Sequence, residues 1–152
     1  MNDWYLDQLL NACVQAKAAT PVQILLTPKL ESLAEIKTAV YIIEEKDGNP
    51  ALTFEQYKRF RSSKKRACAK LNQPSQVMYV GSSSTGVKKR VEQHLGFGHK
   101  NTYALHLRHW FTGEYEITIK EYDVSNLVLQ LIEDNLAANL KPAFGKTGGN
   151  NK

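Results

Sequence analysis

Cysteine is nearly absent: Cys13 and Cys68 are the only two in 152 residues. Their placement matches no paired metal-ligand spacing, so neither a disulfide framework nor a zinc centre is expected. No apolar run approaches the roughly 20 residues that cross a bilayer, and Met1-Asn2-Asp3-Trp4 does not open a secretory leader. No membrane association is expected, and a soluble, cytoplasmic protein follows. The Gly-Lys-Ser/Thr ending of a Walker loop is missing. There is no internal repeat, and no low-complexity tract apart from the small polar tail after Phe144. Acid is the scarcer charge: 15 Asp and Glu stand against 20 Lys and Arg, a formal net charge of +5 and a pI near 9.2. That favours polyanionic partners, nucleic acid first, but it bears on affinity and not on fold.

Hydrophobic residues make up 42% of the chain and charged residues 23%. This is enough for one buried core and argues against disorder. We read residues 1–152 as one domain: a helical extension over 1–37, a core over 38–145 with an insert at 53–74, and a flexible tail at 146–152. Asn2 to Ala19 has an amphipathic helical pattern, with Asn2 or Asp3 as cap. Val22 to Leu26 is a strand or a buried turn. Ser32 and Glu35 match a capping box and open a short helix. Val40 to Ile43, β-branched and aromatic, reads as a strand. Thr53 to Leu71 reads as a strongly basic helix starting at Thr53. Val77 to Val80 is a second strand, Gly81 to Gly86 a Ser/Gly loop, and Val87 to Leu95 a helix. Tyr103 to Trp110 reads as helical. Glu114 to Tyr122 alternates, with Tyr115, Ile117 and Ile119 facing one way, and predicts a half-buried antiparallel strand. Ser125 or Asn126 caps a last helix that runs to about Leu140 before Pro142. The expected fold is α+β: a small, three-stranded, mostly antiparallel sheet flanked by helices.

Some of these residues could carry chemistry. Gly81 and the small residues after it let a backbone approach a phosphate, and the next helix offers N–H groups at its start. Arg90 and His94 are one turn apart on that helix, beside the buried face of Val87, Val91 and Leu95. An arginine fork suits phosphate, and a histidine can move a proton. Glu133 stands at the edge of the apolar stripe Val128, Leu129, Ile132, Leu136 and Leu140, where a carboxylate needs a partner. One carboxylate completed by water and phosphate is a normal magnesium arrangement. Tyr41 and Tyr79 each lie in a strand, where a tyrosine is usually a core aromatic.

Taken in order, these residues resemble the GIY-YIG endonucleases. Val40-Tyr41-Ile42 stands where that family has Gly-Ile-Tyr, with the tyrosine in register, and Tyr79-Val80-Gly81 stands for Tyr-Ile-Gly. The run Tyr79 to His94 is similar to the family's strand, loop and arginine helix, with one extra loop residue. Glu133, followed by Pro142-Ala143-Phe144, is similar to its metal-binding glutamate helix and Pro-x-aromatic ending. The resemblance spans about Thr38 to Phe144.

It implies hydrolysis of a DNA phosphodiester with one divalent ion, Mg2+ or Mn2+, held by Glu133. Tyr41 or Tyr79 would act as general base or position water, the other orienting the phosphate. Arg90 would offset charge on the phosphoryl oxygens, and His94 would assist proton transfer or bind phosphate. The four residues Tyr41, Tyr79, Arg90 and Glu133 are expected on one face of the sheet. Gly81, Ser82, Lys88 and Lys89 are substrate-binding candidates. Lys64, Lys65 and Arg66 of the insert are expected on the nucleic-acid backbone. Three features depart from the family: the first-motif glycine is lost, the segment between the motifs carries the basic insert, and Gly145 replaces an asparagine. Asn150 or Lys146 would stand in for that asparagine. The rival readings are a nucleic-acid-binding module without chemistry and a small protein-interaction domain.

Overall fold

The structure, a computed structural model, describes residues 1–146. It is an α+β fold built on a four-stranded antiparallel sheet. The strands are β1 (Gln23–Leu26), β2 (Ala39–Lys46), β3 (Val77–Ser83) and β4 (Glu114–Glu121), in the order β1-β4-β2-β3. The helices are α1 (Trp4–Ala18), α2 (Pro50–Ser62), α3 (Val87–Leu95) and α4 (Asn126–Leu140). Strand β2 is central, and Ala39 to Ile43 are buried on both of its faces. That two-sided burial is why its sequence reads as a continuous apolar run rather than an alternation.

Register sorts side chains between two cores. Tyr41 pairs with Gly81 and Ile43 with Tyr79, so these four share one face with α2, α3 and Phe144. Val40 pairs with Ser82 and Ile42 with Val80. These face α4, on which α1 packs. Strand β3 is an edge strand. Ala143 N–H donates to the Val77 carbonyl at 2.8 Å and Phe144 N–H to the Met78 carbonyl at 3.0 Å, so the C-terminal segment covers the start of its outer edge.

Several elements differ from expectation. The sheet has four strands, not three: Val22–Leu26 contains a true strand, but a mostly exposed one at the far edge beside β4. The capping box is not formed; Ser32 Oγ donates to the Lys29 carbonyl at 2.7 Å and the segment is a short 3-10 turn. Helix α2 begins at Pro50, with the Asn49 side chain accepting from Leu52 N–H, and ends at Ser62. Ser62 and Ser63 hydroxyls cap the carbonyls of Arg59 and Phe60, Lys64 turns into positive φ, the chain bends at residues 65–66, and residues 67–71 run on without helix. There Cys68 bridges Ala104 in parallel and Leu71 bridges Phe144. Non-local pairing overrides the helical propensity of the basic run. Tyr103–Trp110 is a pinned loop with a 3-10 turn only at Leu107–His109. Helices α3 and α4 match the sequence reading, the latter capped by Ser125 accepting from Val128 N–H at 3.3 Å.

Candidate active site

At the open end of β3, four of the five expected residues lie together. Tyr41 and Tyr79 stack with ring centroids 6.2 Å apart and planes 6° from parallel. Arg90 comes from α3 and donates from Nη2 to the Tyr79 hydroxyl at 3.3 Å; its Nη1 is held by Gln93 Oε1 at 2.9 Å. The His94 ring packs 4.1 Å from that of Tyr79. Leu105 N–H donates to His94 Nδ1 at 3.2 Å. Nδ1 is therefore the bare nitrogen, and Nε2 carries the hydrogen that it gives to the Tyr41 hydroxyl oxygen at 3.2 Å.

Gly81 makes this stack possible. A Cβ there would lie 2.5 Å from the Tyr41 hydroxyl oxygen and 2.9 Å from Tyr79 Cε1. The Tyr-x-Gly pattern thus has a packing reason: the strand pairing sets Gly81 beneath Tyr41, and only hydrogen leaves room for its phenol. Gly145 does the same from the other side. Its φ is +90° and a Cβ would collide with Tyr79 Cε2. An asparagine at this position would meet both obstacles.

The amide that supports this corner comes from elsewhere. Asn72 donates from Nδ2 to the carbonyls of Pro142 at 3.0 Å and Gly145 at 2.9 Å, and Gly145 N–H donates to the Lys70 carbonyl at 2.9 Å. Sequence reasoning missed Asn72, because the only signal is a lone asparagine before a Gln-Pro turn. Asn150 lies outside the described residues.

Burial separates the roles. Tyr41 is 1% and His94 0% exposed. Burial drives the Tyr41 phenol far above its ordinary range, with the neighbouring Tyr79 adding to it. Burial, then the Arg90 charge, holds the His94 imidazole well below its ordinary value, so it is neutral. These two form a layer beneath the surface. Tyr79 and Arg90 open instead onto a cleft of about 450 Å³ with Arg61, Lys70 and Lys146. Burial also raises the Tyr79 phenol, opposed by Arg90.

Glu133 stands apart. Ser82 alternates with Gly81 and so points to the α4 face, where its hydroxyl donates to Glu133 Oε1 at 2.7 Å. Gln130 Nε2 donates to Oε2 at 3.1 Å. Glu133 thus approaches from the opposite face of the sheet, not from the face of the tyrosines. It is still near enough for its charge to raise the phenols of both Tyr41 and Tyr79. Lys89 faces a separate hollow with Glu92 and Phe97. Lys88 lines neither that hollow nor the cleft. Lys64, Lys65 and Arg66 line a second hollow of about 420 Å³ beside the cleft.

No model of a known protein family, no curated protein and no solved structure matches this chain. What the site does must follow from its own geometry. A phenol and a guanidinium, hydrogen-bonded to each other above a buried aromatic layer, present hydrogen-bond donors to a cleft whose charged lining, among the described residues, is wholly cationic. Such a cleft suits a phosphate oxyanion.

Proposed function

We propose that this chain is a metal-dependent nuclease that hydrolyses DNA phosphodiesters at the Tyr79–Arg90 cleft. The observation that carries this reading is the Arg90–Tyr79 pair, 3.3 Å apart, opening onto a cleft with three further cations. Arg90, kept in place by Gln93, offsets charge that builds on the phosphoryl oxygens. Tyr79 accepts from Arg90 and keeps its own hydrogen, because burial raises its phenol. It therefore donates to a phosphoryl oxygen or to the attacking water, and does not take a proton. Tyr41 and His94 position the Tyr79 ring from below and touch no substrate.

Glu133 is the residue that would hold a divalent ion, Mg2+ or Mn2+. Each of its oxygens accepts one hydrogen bond and keeps lone-pair capacity. Among the described residues no group of three or more His, Cys, Asp or Glu side chains forms a metal cluster, so water and phosphate would complete the coordination. Such an ion supplies charge stabilisation and a more acidic water.

A second reading, a DNA-binding module without chemistry, is favoured by the placement of Glu133 on the far face of the sheet, already bonded to Ser82 and Gln130. Supercoiled plasmid separates the two. The nuclease nicks it with Mg2+ or Mn2+ and not with chelator, and Arg90→Ala removes the activity. Plasmid, single-stranded and branched DNA that are all bound yet left intact with both ions would establish the binding module instead.

A further inference from the structure

The cleft below Arg90 does not end at Lys70. It adjoins the second hollow, and Arg61, Cys68 and Tyr103 line both. The continuation is more basic still, with Lys64, Lys65, Arg66 and Lys100 on its walls. Among the described residues, not one Asp or Glu lines either hollow. At the junction stands Tyr103, 70% exposed.

The loop that carries Tyr103 is firmly held. Ala67 N–H donates to the Lys100 carbonyl at 2.7 Å and Ala69 N–H to the Ala104 carbonyl at 3.3 Å. His106 Nε2 lies 2.8 Å from the Ala67 carbonyl and 2.9 Å from the Thr102 carbonyl. Two acceptors fix the hydrogen on that nitrogen. Arg66 Nη1 reaches the Gly98 carbonyl at 3.2 Å and the Tyr57 hydroxyl the Ala104 carbonyl at 3.1 Å. An aromatic side chain left in water on so fixed a backbone does not serve the core. Ringed by cations, it has the make-up of a base-stacking platform beside a phosphate track. A duplex would not use it, since its base faces are already covered by stacking on one another and only base edges and the sugar-phosphate backbone are accessible.

We propose that the double hollow carries an unpaired DNA strand leading from the scissile phosphate, with one base stacked on Tyr103 and the flanking phosphates on Arg61, Lys64 and Lys100. The substrate class is then DNA with a single-stranded tail or branch, not plain duplex. This inference rests on the nuclease reading for the location of the cut, but its test does not use cleavage.

Binding of a fluorescent oligothymidylate, and of a blunt duplex of equal length, is measured by anisotropy in chelator. Wild-type protein, Tyr103→Ala and Tyr103→Trp are compared. The exposed position makes both variants safe for the fold, and a thermal melt checks this. Tyr103→Ala should weaken oligothymidylate binding about 5- to 150-fold, the range of one base–aromatic stack. Tyr103→Trp should restore it, and duplex binding should be the same in all three. One abasic nucleotide walked along the oligomer should cost wild-type protein affinity at a single position and cost Tyr103→Ala nothing there. Unchanged oligomer binding in Tyr103→Ala, or an equal loss on the duplex, would overturn the proposal. Tyr103-dependent binding in a protein that cuts neither plasmid nor tailed or branched DNA with Mg2+ or Mn2+ would refute the nuclease reading alone. Cutting without Tyr103 dependence would refute this inference alone.

Discussion

A methyl group on Gly81 would have to push either Tyr41, whose hydroxyl oxygen lies 2.5 Å from it, or the paired backbone of β3. Neither yields easily: Tyr41 is fully enclosed and the strand is bonded to β2. Gly81→Ala should therefore cost about 1–3 kcal/mol by overpacking, and thermal melting should fall by roughly 2–10 °C. Cleavage should fall with it, because Tyr79 is displaced. An alanine variant with wild-type melting and activity would show that the tyrosine stack is looser than its geometry. His94 gives a second expectation. Its imidazole is neutral in the fold at a pH where the unfolded chain is already protonated. Above about pH 6.5, the ordinary imidazole value, both states are neutral and the full stability is present. As pH falls below that value only the unfolded state gains the proton, and this group alone removes about 1.4 kcal/mol per pH unit until the depressed folded value is reached. His106, shifted the same way by burial, steepens the slope. Urea unfolding at pH 7, 6 and 5 measures it; a flat profile would mean that His94 protonates within the fold.

The elements legible in the sequence were those with a local signal. Strand β2 shows as a β-branched run, α3 and α4 by the spacing of Val87, Val91 and Leu95 and of Val128, Leu129 and Ile132, and β4 by its alternation. The illegible ones take their form from partners distant in the chain. The basic run after Ser62 has helical propensity, yet 67–71 is not helical because Cys68 and Leu71 meet Ala104 and Phe144. The sequence of β1 is ambiguous because an exposed edge leaves apolar residues with no one-sided pattern. Of the site, Tyr41, Tyr79, Arg90 and His94 were readable in order along the chain. Neither the face of Glu133 nor the support from Asn72 was, since both depend on register and on hydrogen bonds between residues 51 and 73 positions apart. The form of the insert also sharpens the test of its charges. Arg66 is tied to the Gly98 carbonyl, so reversing it would disturb the loop as well as the charge. Lys64→Glu with Lys65→Glu, both exposed, is the cleaner variant. Affinity for every DNA sequence should fall alike. The slope of log affinity against log salt should flatten by about 0.7 for each single-strand phosphate that these lysines no longer neutralise. An unchanged slope would make them a solvated surface only.

At the scale of the whole molecule the sheet itself divides the proposed machinery. Tyr79 and Arg90 belong to the side of α2 and α3, whereas Glu133 belongs to the side of α4 and α1. Next to the site the two sides are divided by β3, where Gly81 faces one way and Ser82 the other. If the nuclease reading holds, a cut requires the carboxylate to serve across that strand. Glu133→Gln tests this with little change in shape: an amide oxygen can still accept from Ser82, and the volume is kept. In place of Oε2 the amide NH2 no longer accepts from Gln130 Nε2, which keeps its bond to Asp134 Oδ1. Stability should therefore fall by no more than the worth of one hydrogen bond, about 1 kcal/mol, and DNA affinity in chelator should not change. Metal-dependent cleavage should drop roughly a thousandfold, since an amide is a far poorer ligand for a hard cation whose charge stabilisation amounts to several kcal/mol. Ser82→Ala is the companion variant. It frees one lone pair of Glu133 without removing the charge, so cleavage should persist and its Mg2+ requirement should shift by less than about tenfold, the worth of one hydrogen bond. A Glu133→Gln protein that melts normally, binds DNA and cuts at the wild-type rate would detach Glu133 from the chemistry and leave the Tyr79–Arg90 pair to be explained as a phosphate clamp.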